Sequence, residues 1–166
     1  MQLNHYLPVL NAALITDLLV MMMVMIGSQD KSAIRRWYRE FTLSAVIADV
    51  LIMMLGIMIA RFLYPMLLGS KTHSFVYFLI LVVFVQIVHD LLFNLLATSI
   101  PRGRSKIMDY FKDYAKENGA WILLVDALMM ISTALITTVL IHRSLDTNII
   151  LLVVGIYLVP YLIYSM

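Results

Sequence analysis

Ile149-Ile150-Leu151-Leu152-Val153-Val154-Gly155-Ile156-Tyr157-Leu158-Val159 is almost unbroken aliphatic sequence, followed by Pro160. Extended to 147–165, it approaches the ~20 residues that a helix needs to cross a bilayer. Four further apolar runs have the same character, at 7–27, 43–64, 75–97 and 120–141. Tyr6, Tyr64, Tyr77, Trp121, Tyr157, Tyr161 and Tyr164 stand near the ends of runs, where amphipathic rings sit at a membrane interface. The pattern predicts an all-α, polytopic membrane bundle of about five transmembrane helices, with 1–166 as a single transmembrane domain.

Composition points the same way. Of 166 residues, 63% are hydrophobic and 13% charged, and the mean hydropathy is +0.94. Soluble domains run at roughly 45–50% apolar and about 25% charged. A soluble core of this size could not hide so much apolar surface, so the remainder must face lipid. With no cysteine, disulfide and thiol chemistry are excluded. Residues 1–6 lack the basic n-region of a secretory signal, and the first run reads as a retained helix.

The positive-inside rule gives an orientation. Lys31, Arg35, Arg36 and Arg39 follow the first run, and Arg102, Arg104, Lys106, Lys112 and Lys116 follow the third. Those loops share one side and hold nine of the twelve Lys and Arg residues, leaving Arg61, Lys71 and Arg143 opposite. An outside N-terminus and cytosolic basic loops are expected.

The two basic loops also resemble each other. Ile34-Arg35-Arg36-Trp37-Tyr38-Arg39-Glu40-Phe41 and Ile107-Met108-Asp109-Tyr110-Phe111-Lys112-Asp113-Tyr114 share the order Ile-x-x-aromatic-aromatic-basic-acidic-aromatic. Asp17-Leu18-Leu19 and Asp90-Leu91-Leu92 precede them at the same spacing. Asp49 and Asp126 follow once four residues, about one helical turn, are inserted. A duplicated helical hairpin is expected, covering about 7–64 and 75–141, with 147–165 as an extra span. Parallel copies of this kind are related by an axis along the membrane normal.

In each loop the apolar positions fall at i, i+3, i+4 and i+7, the stripe of an amphipathic helix. Gly103 and Gly119 could start and stop the second one. Such a helix is expected to lie at the interface, with rings at the headgroups and charges in water. It serves either as an elbow alone or as a surface for anionic lipid or a partner protein. The candidate contact residues are Trp37, Tyr38, Phe41, Tyr110, Phe111 and Tyr114, rimmed by Arg35, Arg36, Arg39 and Lys112.

Asp17, Asp49, Asp90 and Asp126 place one acid in each of the first four runs, and His89 lies beside Asp90. Placing a carboxylate there costs about 2.5–3.5 kcal/mol on insertion scales. Such residues must turn inward, find partners or bind protons. The candidate partners are His89, Asn11, Gln86, Asn94, Thr16 and Ser132. Two readings stay open: polar clamps between helices, or a proton or cation path. No nucleophile, metal cluster or phosphate loop accompanies the acids, so neither catalysis nor a cofactor is expected. His5, His73 and His142 have no metal-ligand spacing, and the 13 methionines read as adaptable apolar packing. The basic loops are short and interleaved with acids, which argues against nucleic acid, and no small-molecule substrate is indicated.

The segments from Arg36-Trp37-Tyr38-Arg39-Glu40-Phe41 to Ala60-Arg61-Phe62-Leu63-Tyr64, and from Ile100-Pro101-Arg102-Gly103 to Lys116-Glu117, carry a resemblance. They resemble small multi-span proteins of large nucleocytoplasmic DNA viruses of algae and protists. The resemblance implies a structural protein of the internal virion membrane, derived from host endomembrane, that anchors capsid or minor capsid proteins to the bilayer. It implies lipid and other virion or membrane proteins as partners, and no catalytic residue.

Overall fold

The computed structural model describes residues 6–27, 32–69 and 74–166. These form seven helices: α1 (Tyr6–Gly27), α2 (Ala33–Phe41), α3 (Leu43–Leu68), α4 (Phe75–Ser99), α5 (Lys106–Asn118), α6 (Trp121–Leu140) and α7 (Leu145–Ile163). Five of them, α1, α3, α4, α6 and α7, are long and apolar enough to cross a membrane. The protein is thus an all-helical bundle compatible with a multi-pass membrane protein. His5, Lys31, Lys71 and His73 lie outside the described residues.

The helix ends follow the sequence reading closely, with one correction. The second span does not stop before Pro65; α3 continues through it to Leu68. A proline removes one backbone donor and crowds the preceding turn. Near a helix end that loss falls on a single bond, and Met66, Leu67 and Leu68 extend the helix by a further turn.

α1 is the most enclosed element. It packs against α3, α6 and α7, and Val9, Ala12, Ala13 and Met21 have no exposed surface. The two alanines keep its flank thin, so neighbouring backbones can approach, as small residues allow in membrane interfaces. α7 docks on it through Gly155, where an added Cβ would stand 2.6 Å from Leu14 Cδ2. A buried polar clasp joins the same two helices: Asn11 Nδ2 donates to the Asn148 carbonyl at 2.7 Å and to its Oδ1 at 3.1 Å. The outer faces are apolar, with Phe62, Met66, Ile80, Phe84, Leu95, Ile150 and Val153 all exposed. A surface of that kind suits lipid.

α2 and α5 are short elbows. Their first turns are capped by Ser32 and Ser105, whose hydroxyls accept from the backbones of Arg35 and Met108. The second elbow therefore starts at Ser105 and not at Gly103, which lies in the preceding turn with φ 83° and donates its N–H to Asp109. Both elbows end in nearly the same backbone conformation, Thr42 at φ 48°, ψ −124° and Gly119 at φ 55°, ψ −138°. That left-handed kink redirects the chain from the elbow into the following span.

Candidate functional site

The elbows roof the bundle with their rings turned inward, which corrects the expectation that those rings sit among lipid headgroups. Trp37, Tyr38, Phe41 and Tyr110 are buried in protein, and Phe111 and Tyr114 are partly buried. Trp37 stacks on Tyr110 at 5.2 Å between centroids and meets Phe111 at 4.9 Å. Phe111 sets its edge against Phe93 at 4.8 Å, and Tyr110 stacks on Tyr114 at 5.7 Å. The Tyr110 hydroxyl donates to the Ala33 carbonyl at 2.7 Å, tying α5 to the start of α2. An aromatic cluster of this kind is worth about 0.5–1.5 kcal/mol per well-placed pair beyond its area. It buries its rings more effectively against one another than against headgroups.

Two of these rings carry donors that reach acids of the apolar helices. Tyr38 Oη donates to Asp17 Oδ1 at 2.7 Å, with both residues fully buried. Trp37 Nε1 donates to Asp49 Oδ2 at 2.8 Å. Both donors come from α2, outside the spans in which the sequence offers His89, Asn11, Gln86, Asn94, Thr16 and Ser132 as partners. The available signal was the spacing: adjacent aromatic residues with polar heads stand one short loop from both acids. Thr16 and Ser132, two of those candidates, bond each other at 3.3 Å instead and join Thr133.

Below the elbows lies a cavity of about 610 Å³ between α3, α4 and α6. Asp49, Asp90, Asp126 and His89 all line it, with Gln86 and Asn94. Trp37, Tyr38, Phe93, Tyr110, Phe111 and Tyr114 supply its aromatic wall, and among the described residues no Lys or Arg lines it. Asp90 Oδ1 accepts from Gln86 Nε2 at 2.6 Å and stands 3.1 Å from His89 Nδ1. Its Oδ2 is buried and has no hydrogen-bond partner among the described residues. Asp17 is the exception among the four acids, because it is sealed under Tyr38 and stays out of the cavity wall.

The expected charged rim is also redistributed. The Arg35 guanidinium caps the end of α1 by donating to the Val24 and Met25 carbonyls at 3.2 and 3.1 Å. Arg36 pairs with Glu117 at 2.6 Å and Lys106 with Glu40 at 3.6 Å, so both pairs bridge the two elbows. Arg39 faces outward. Lys112 does not: its side chain is 11% exposed and folds back onto the Ile100 carbonyl and Asp109. A lysine held in its own loop contributes little to a surface rim.

The elbow tyrosines hold their protons firmly. Burial, then the Asp17 carboxyl, pushes the Tyr38 phenol well above its ordinary range. Burial does the same for Tyr110 and Tyr114, which also face Tyr114 and Asp126 respectively. Removing a phenol from water disfavours its anion, so these groups act as hydrogen-bond donors. On the outer surface, the hydrogen bond from Arg102 holds the Asp113 carboxyl below its usual range.

No family model, curated protein or solved structure matches the chain.

Proposed function

We propose that this chain is a multi-pass membrane protein that binds a cation or proton inside its bundle and passes it across the membrane. The observation carrying this reading is the convergence of Asp49, Asp90 and Asp126 on one cavity whose lining, among the described residues, includes no Lys or Arg. Uncompensated acids inside a membrane bundle are expensive and are characteristic of ion and proton paths. Asp17, by contrast, is sealed beneath the Tyr38 hydroxyl and does not line the cavity. The two hairpins, α1 to α3 and α4 to α6, then serve as halves of one device, and a duplication accounts for their shared loop pattern. Flux into liposomes tests the reading, using a pH dye and a potential dye with Asp49→Asn, Asp90→Asn and Asp126→Asn. The expected outcome is flux that falls at least tenfold in the variants while the fold persists. A folded wild-type protein with no flux of protons or of any cation, inorganic or organic, overturns it.

A second reading has its own observation. Trp37 stacked on Tyr110 and the Tyr110–Ala33 hydrogen bond join the two elbows into one platform on one side of the bundle, with Arg36–Glu117 and Lys106–Glu40 bridging its rim. A rigid platform suits the anchoring of shell proteins to a virion membrane, as the viral resemblance implies. Mass spectrometry of purified particles tests it: a stoichiometric component supports the anchor, and absence from the particle removes it.

A further inference from the structure

We infer that the ligand of the cavity is an organic cation with apolar substituents, its charge among Asp49, Asp90 and Asp126 and its apolar part against Trp37, Phe93 and Phe111. This inference rests on the proposal that the cavity takes a cation, and it specifies which kind. Size is the first argument. About 610 Å³ falls within the roughly 300–1,000 Å³ of pockets that enclose drug-sized ligands, and far exceeds what a bare ion fills.

The arrangement of donors is the second. Among the described residues, no three His, Asp or Glu side chains are placed to share a metal ion. Hard cations need several oxygens at about 2.0–2.6 Å. These acids are distributed around a wall instead, on α3, α4 and α6. A cation broad enough to touch them in turn fits that distribution.

The wall itself is the third. Phe93 and Phe111 meet edge to face at 4.8 Å, Phe111 meets Trp37 at 4.9 Å, and all three line the space. Aromatic faces attract cations through their quadrupoles, and quaternary centres, which carry no strong hydration shell, lose little on leaving water for such a wall. The buried Asp90 Oδ2, left without a hydrogen-bond partner on a side chain 14% exposed, supplies an unused acceptor at the same place. Asp126 likewise lines the cavity from α6. Ser44, Ala48, Leu91 and Ile107 are exposed lining residues, so the space is reached from outside the bundle.

The test is calorimetric titration of tetraphenylphosphonium into the full chain in detergent, alongside Asp90→Asn, Asp126→Asn, Asp126→Glu and Phe93→Leu. Circular dichroism and a monodisperse elution profile verify each fold. The expected result is binding by wild type, at least tenfold weaker in both Asn variants and largely restored in Asp126→Glu. Phe93→Leu keeps an apolar side chain but removes a π face, and about 0.5–2 kcal/mol of cation–π attraction corresponds to roughly 2- to 30-fold weaker binding. Equal binding by all variants indicates partition into apolar surface and overturns the inference. No binding by folded wild type, with carboxylate-dependent sodium, potassium or proton flux in liposomes, overturns the inference and leaves the cation reading standing. Neither binding nor flux overturns both.

Discussion

The first acid of each hairpin, Asp17 in one and Asp90 in the other, meets a different neighbour. In the first hairpin, Tyr38 reaches down from α2 and caps Asp17, and Trp37 beside it donates to Asp49. In the second, the residue at the place of Tyr38 is Phe111, which has no hydroxyl, and its ring lies against Phe93 instead. Asp90 then finds Gln86 and His89 on its own helix; both acids keep one buried oxygen without a hydrogen-bond partner among the described residues, but of the two Asp90 alone lines the cavity. The sealed acid has a phenol hydroxyl above it, and the acid that opens on the cavity does not. A shared pattern of aromatic positions leaves hydrogen-bonding capacity free to differ.

Breaking the cap should have the largest effect. Tyr38→Phe gives the first hairpin the second one's chemistry, leaving Asp17 buried without its donor. A loss of about 1–3 kcal/mol is expected from one unsatisfied buried polar group, read from unfolding in mixed detergent and denaturing surfactant. No change in stability would mean that Asp17 has another partner.

High pH should act next, and on both elbows at once. Tyr38, Tyr110 and Tyr114 have raised phenol pKa values in the fold, so their contribution is complete below the unfolded value of about 10. As pH rises through and above that value, the unfolded chain releases protons that the fold retains, and stability falls. Ultraviolet titration should show phenolate from the exposed tyrosines first, with the elbow tyrosines ionising only as the fold is lost. Early ionisation of all tyrosines would contradict the burial of the elbows.

The kinks sharpen the comparison further. Thr42 holds a positive φ that a β-branched residue rarely adopts, whereas Gly119 adopts the matching conformation without a Cβ. Thr42→Gly should stabilise and Gly119→Thr destabilise, each by about 1 kcal/mol or somewhat more. The smallest effect is expected from Glu117→Gln. Its pair with Arg36 is exposed, at 39% and 44%, and exposed pairs contribute about 0.2–1 kcal/mol and weaken with salt. Cross-linking between α2 and α5 should therefore persist in that variant, held by Trp37 and Tyr110.

Much of this architecture was legible in the sequence. Runs of apolar residues about as long as a bilayer is thick predict helices whatever their neighbours, because an unsatisfied backbone in hydrocarbon is prohibitive. The elbow stripes were equally plain, since i, i+3, i+4 and i+7 periodicity is a local property. What the stripe faces is not local. The rings of Trp37 and Tyr38 could equally have met headgroups, and the capped ends of α2 place them over α1 and α3 instead. Lys112 looked like a surface charge for the same reason, and the fold of its loop turned it inward.

The order of residues by itself determined that this chain is a bundle of membrane-length helices with four acids in its apolar segments and aromatic elbows between them. Only the packing of those helices decided that three acids share a cavity while the fourth is sealed. Hydropathy and periodicity are sums over neighbours in sequence, whereas a donor meeting an acceptor depends on side chains brought together from separate helices.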